Sequence, residues 1–164
     1  MATEVINPEG YVLATCSGTV SFLVSRKALS LASPILREML KPQTSGGLAV
    51  KSEDSEHPML NLPLDDPEAF RLFCEVAHHK PRSLKTPTAD CLQRLVALID
   101  RYRCSQAMAD SGRLWIPDTF SGWSEEDLWK LLQFAYVLNL NKKFFDISRQ
   151  LVCKISDVFW DYGN

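Results

Sequence analysis

A chain of 164 residues, 46% hydrophobic and 23% charged, can bury a sizeable core and is too apolar to be disordered throughout. Its formal net charge is −2, from 18 basic and 20 acidic side chains without a dense basic stripe, which argues against nucleic acid as a partner. No apolar run reaches the length of a membrane span, and five cysteines without a CxxC pair suit reduced thiols in the cytoplasm or nucleus.

Residues 1–10 read as a flexible lead-in. Residues 11–15 (YVLAT) form a strand, Ser17-Gly18 a turn, and residues 20–24 the second arm of a hairpin. In that arm Val20, Phe22 and Val24 alternate with Ser21, Leu23 and Ser25, the period of a half-buried strand. The pattern turns helical at Ala28, Leu29 and Leu31 and breaks at Ser33-Pro34. A second short helix starts there, with Ser33 as cap, Pro34 in the first turn, and Leu36, Met39 and Leu40 as its stripe. Residues 41–58, with Pro42, Ser45-Gly46-Gly47 and the acidic stretch 53–56, read mostly as loop, with a short strand open at 48–50.

Residues 59–62 form the next strand. Asp66 then caps a helix over 66–79, with Pro67 at its first position and Phe70, Phe73, Cys74 and Ala77 on one face. Lys80-Pro81 ends it, and residues 81–87 cross over as loop, with an extended piece around Leu84. From Thr88, the spacing of Leu92, Leu95, Val96, Ile99 and Tyr102 predicts an amphipathic helix. Residues 105–116 make a less periodic helix and 117–123 a linker. Ser124 caps the following helix, with Asp127 in the capping-box position and Trp123 and Leu128 placed as a hydrophobic staple. Its core stripe is Leu128, Leu131, Leu132, Ala135 and Leu138. The short connection at 139–141 makes the return helix, with Phe144, Phe145, Ile147, Leu151, Val152 and Ile155, its antiparallel partner.

Strand, helix pair (ALSLASPILREML), strand, and a helix opened by Leu64 and DDPEAF together resemble the BTB/POZ domain, a protein-interaction module. LQRLVALIDRYRCSQAMADSGRLWI resembles its last two helices, with Arg101-Tyr102-Arg103-Cys104 at their junction, so the likeness spans 11–116. LWKLLQFAYVLNLNKKFFDISRQLV, within 124–164, looks like the helical extension of many stand-alone fungal members. The resemblance implies an α+β fold: a small sheet packed with a cluster of helices, followed by a helical pair. It also implies a non-enzymatic role in scaffolding or self-association, with protein partners that include a second copy. Self-association in the family uses the first strand and first helix, here Tyr11, Leu13, Leu29 and Leu31. Tyr11 stands where the family often carries an Asp. The family's other common role is substrate adaptor of a cullin-type ubiquitin ligase. That role implies a hydrophobe followed two positions later by Glu in the loop after the Ser-Pro helix. Thr44 and Gly46 occupy those places, so the cullin anchor is missing and scaffolding ranks first.

Catalytic constellations are weak. Cys74 and His78 share a helix face at zinc-ligand spacing, beside His79, but His57, Cys91 or Cys104 would have to complete a tetrahedron. The plainer reading packs Cys74 in the core and leaves the histidines at the helix end. There is no G-x-S-x-G, and no Lys-Ser/Thr follows Gly46-Gly47. Asp65-Asp66 is a carboxylate pair, yet a helix start calls for acids in its own right. A small metal-dependent enzyme or hydrolase is therefore the last reading, and no cofactor is expected. The aromatics say more. Trp129, Phe134 and Tyr136 lie off the core stripe of their helix, either packed on a second side or, as Trp129 and Tyr136 suggest, forming a docking face. Trp160, within VFWDY at 158–162, should fold back or be covered by another chain.

Overall fold

A computed structural model describes residues 2–41, 57–80 and 86–161, with side chains to Ile155. Thr44, Gly46, the strand considered at 48–50, the extended piece around Leu84 and the side chain of Trp160 lie outside the described residues. The fold is α+β. Its strands are β1 (Ala2–Val5), β2 (Val12–Cys16), β3 (Val20–Val24) and β4 (Met59–Leu62). Its helices are α1 (Arg26–Ala32), α2 (Pro34–Met39), α3 (Pro67–Ala77), α4 (Ala89–Tyr102), α5 (Ser105–Trp115), α6 (Glu125–Val137) and α7 (Asn141–Asp161). No helix among the described residues is long and apolar enough to cross a membrane.

The sheet runs β1-β3-β2-β4. Strands β2 and β3 pair antiparallel, with Val12 opposite Val24 and Ala14 opposite Phe22. Ser17 and Gly18 between them both take positive φ, 48° and 66°, the conformation a tight hairpin turn requires. Strand β4 lies parallel to β2, Leu13 opposite Met59 and Cys16 opposite Leu62. Residues 2–5, expected as a flexible lead-in, instead form β1, parallel to β3 with Ala2 opposite Val20. All four β1 side chains are exposed, so the strand is held through its backbone and leaves no hydrophobic period to read.

Helix ends follow the expected caps. The Ser33 and Asp66 side chains accept from Leu36 N–H and Ala69 N–H, each ahead of a first-turn proline. Beyond those expected, Thr88 caps α4, its side chain accepting from Cys91 N–H. Ser124 caps α6 by accepting from Asp127 N–H, but Asp127 accepts back from the Ser124 hydroxyl rather than from its backbone. That variation suits an acid too short to reach further.

Phe22, Phe70 and Phe73 form the centre of the core, with ring centroids 5.6 and 5.9 Å apart in sequence order. Leu29, Leu36, Leu60, Leu95 and Ile99 close around them from the flanking helices and strand. The same cluster continues without a break through Met108, Trp115 and Phe120 into Leu131, Phe134 and Ile147. Phe120 is buried in this cluster and Trp123 packs against it, anchoring the 117–123 segment. At Gly112, helix α5 packs against the C-terminal end of α6, where an added Cβ would sit 2.1 Å from Leu138 Cδ1 and 3.3 Å from the Phe134 ring.

Phe70→Ala should lower unfolding free energy by roughly 3–5 kcal/mol, the usual range for emptying a buried aromatic site, as measured by urea denaturation. Gly112→Ala should also destabilise, although alanine is the better helix former, because the methyl overlaps Leu138. A raised melting temperature for Gly112→Ala would contradict this α5–α6 contact.

Candidate interaction surfaces

The paired carboxylates have separate structural roles. Asp66 caps α3 and lies 3.2 Å from Arg94, which also pairs with Glu68. Asp65 is 3% exposed; Arg101 donates to one of its carboxylate oxygens and the Tyr102 hydroxyl to the other. Its backbone carbonyl accepts from Ser17 Oγ at 2.7 Å. Burial, and then the hydrogen bond to Asp65, push the Tyr102 hydroxyl well above its ordinary pKa, so it stays protonated and donates.

The Cys74–His78 pair is divided between core and backbone. Cys74 is fully buried, and burial raises its thiol well above its usual value. Both His78 ring nitrogens lie against backbone groups, Nδ1 against Cys74 O and Nε2 against Ser25 N. Burial likewise raises Cys91 to about 11 and Cys16 and Cys104 to about 12. Among the described residues, no three His, Cys, Asp or Glu side chains gather as metal ligands would.

The four self-association candidates do not share one surface. Leu31 is 75% exposed and Tyr11 51%, whereas Leu13 is half-buried and Leu29 is completely buried. Leu29 is therefore a core residue and is unavailable to a partner. Positions two apart on a helix point to nearly opposite sides, so α1 cannot present both leucines outward.

The aromatic residues of α6 divide in the same way. Phe134, read as off the core stripe, is buried and stacks on Trp115 at 6.3 Å. It lies there because α6 is buried across a wide arc, against α5 as well as α4 and α7. Trp129 and Tyr136 are 46% and 73% exposed. They line an apolar groove of about 590 Å³ with Val96 and Ala97 of α4, Val137 of α6 and Phe144 of α7. Tyr136 and Phe144 lie 6.2 Å apart, and among the described residues Asp100 is the one charged residue in the lining.

Lysines brace the groove walls. Lys130 of α6 lies 2.6 Å from both Asp90 of α4 and Glu126 of its own helix. Hydrogen bonds to these carboxylates raise its pKa. Lys143, directly before Phe144, donates to Ile116 O at 2.7 Å, Pro117 O at 3.1 Å and Asp118 Oδ1 at 2.7 Å. All three ammonium donors have acceptors, and the bond to Lys143 holds the Asp118 carboxyl below its ordinary pKa. Lys154 Nζ donates to Trp123 O at 2.6 Å. In sequence, Lys142-Lys143 is only a basic pair; the carbonyls Lys143 serves are about 26 residues away.

No protein-family model matches this chain, and no curated protein matches it.

Lys143→Met keeps most of the apolar stem of the side chain and removes all three donors. It should cost roughly 1.5–3 kcal/mol, the range for hydrogen bonds to a charged group, as measured by urea denaturation. A change near zero would mean that Lys143 does not hold the 116–118 segment.

Proposed function

We propose that this chain is a non-enzymatic protein-interaction module of the BTB/POZ type, working in the cytoplasm or nucleus as a scaffold. The order of its elements supports the reading: antiparallel hairpin, helix pair, strand parallel to the first arm of the hairpin, then three helices. The roles of Asp65, Asp66, Cys74 and His78 also favour it, since each is engaged within the fold.

The observation that carries the proposal is the α4–α6 groove, which exposes Trp129, Tyr136 and Phe144 on helices fixed by Lys130 and Lys143. Large aromatics on a rigid support are favoured interface anchors, because little side-chain entropy is lost on binding. The occupant that fits is an apolar partner segment bearing a basic residue to meet Asp100. Leu31 and Tyr11 remain on the body as separate candidate contacts for a second copy.

The double change Trp129→Ala with Tyr136→Ala should leave the melting temperature nearly unchanged and weaken partner capture by about thirtyfold or more. That factor corresponds to about 2 kcal/mol for a hot-spot truncation. The measurement compares partners retained by wild type, by this variant and by Leu31→Asp, with sedimentation equilibrium reporting self-association. An unchanged partner set and oligomeric state in both variants would overturn the assignment. A cullin among the partners lost would turn the reading toward ligase adaptor.

A further inference from the structure

His78 ends α3 as its C-cap, and its ring lies between two backbone groups of fixed polarity. Nδ1 is 2.7 Å from Cys74 O, and Nε2 is 2.9 Å from Ser25 N. A carbonyl oxygen only accepts, so Nδ1 carries the hydrogen. A backbone N–H only donates, so Nε2 is bare and accepts. The contacts thus select one neutral tautomer and exclude the cation, in which both ring nitrogens donate.

Ser25 is the N-cap of α1, and its hydroxyl accepts from Ala28 N–H at 3.4 Å. It follows directly on Val24, which closes β3 opposite Val12. One imidazole therefore joins the end of α3 to the point where the sheet hands over to α1. That helix carries buried Leu29 on one side and exposed Leu31 on the other.

We propose that His78 is an acid-released latch: its neutral ring holds the N-cap of α1 against the end of α3, and protonation at Nε2 frees Ser25 and loosens α1. The added N–H would face the Ser25 N–H, donor against donor, while Nδ1–H keeps its bond to the Cys74 carbonyl. The ring thus stays on α3 and releases only the α1 side.

Burial and the surrounding charges set the direction. Burial is the largest influence and disfavours the cation, and Lys80 and His79 beside the ring act the same way. Across the contact, Arg26 and Lys27 follow Ser25 in the chain and are also basic. The Cys74 carbonyl opposes them by favouring protonation, but the net effect lowers His78 below its ordinary 6.5. The unfolded chain therefore takes up the proton first. The stabilisation from the latch is complete above the ordinary histidine pKa and is lost as pH falls through the lowered folded value.

The test is NMR on the full chain, titrated from about pH 7.5 to about pH 5. The expected result is an unprotonated Nε2 at the start and a His78 midpoint below 6.5. The Ser25 amide shift should follow that midpoint. Hydrogen-exchange protection at the start of α1 should fall several-fold while α4 keeps its protection. In His78→Gln the acid transition at Ser25 should be absent. Three results would overturn the latch: the Nε2–H tautomer, a Ser25 amide that ignores the His78 titration, or protection lost equally in α1 and α4. All three are read on wild type, so the proposal remains testable if the variant fails to fold.

Discussion

Asp65 sets a condition that the surrounding junctions must satisfy. A carboxylate removed from water needs compensating charge and hydrogen bonds, and here both come from the last turn of α4 through Arg101 and Tyr102. That requirement brings α4 against the loop between β4 and α3. Ser17, in the hairpin turn, donates to the Asp65 carbonyl, and Ser33 donates to the Tyr102 carbonyl at 2.6 Å while capping α2. Turn, loop, helix junction and helix end are thus joined around two adjacent residues of α4. Arg101 remains 39% exposed, so solvent screens its contribution and Tyr102 is the buried partner. Arg103 then takes a left-handed conformation, φ 50°, and ends α4 directly after the node.

The helical extension depends on this body. It completes the core, with Phe134 on Trp115 and Leu138 over Gly112, and lysines at three points fix its position. The groove takes its shape from that packing: α4 supplies one wall, α6 the other, and α7 adds Phe144 beside Lys143. A binding surface on braced helices is better ordered before binding than one on loops, which favours affinity by reducing the ordering cost. Structure and proposed function meet at α4, whose last turn closes the fold through Tyr102 while Val96, Ala97 and Asp100 line the groove.

Local signals in the sequence were enough to find most elements. Alternation marks β3, and Ser33-Pro34, Asp66-Pro67 and Ser124 mark helix starts, because capping is chemistry within three residues. Strand β1 is not legible in the sequence, because its exposed side chains carry no period. Leu29 and Leu31 look equivalent as letters and differ only by which side of α1 faces the core. Asp65 and Asp66 pose the same problem: capping accounts for Asp66, but the partners of Asp65 lie 36 and 37 residues away. Trp129 and Tyr136 were legible as off-stripe aromatics. The α4 face opposite them was not, since only the packing of α4 on α6 brings it there.

The most direct measurement is a double-mutant cycle by urea denaturation with Asp65→Ala, Tyr102→Phe and the combined variant. If the buried carboxylate and hydroxyl form the node that joins these elements, the two changes should be non-additive, with a coupling of about 0.5–3 kcal/mol. Additivity to within about 0.3–0.5 kcal/mol would contradict the account.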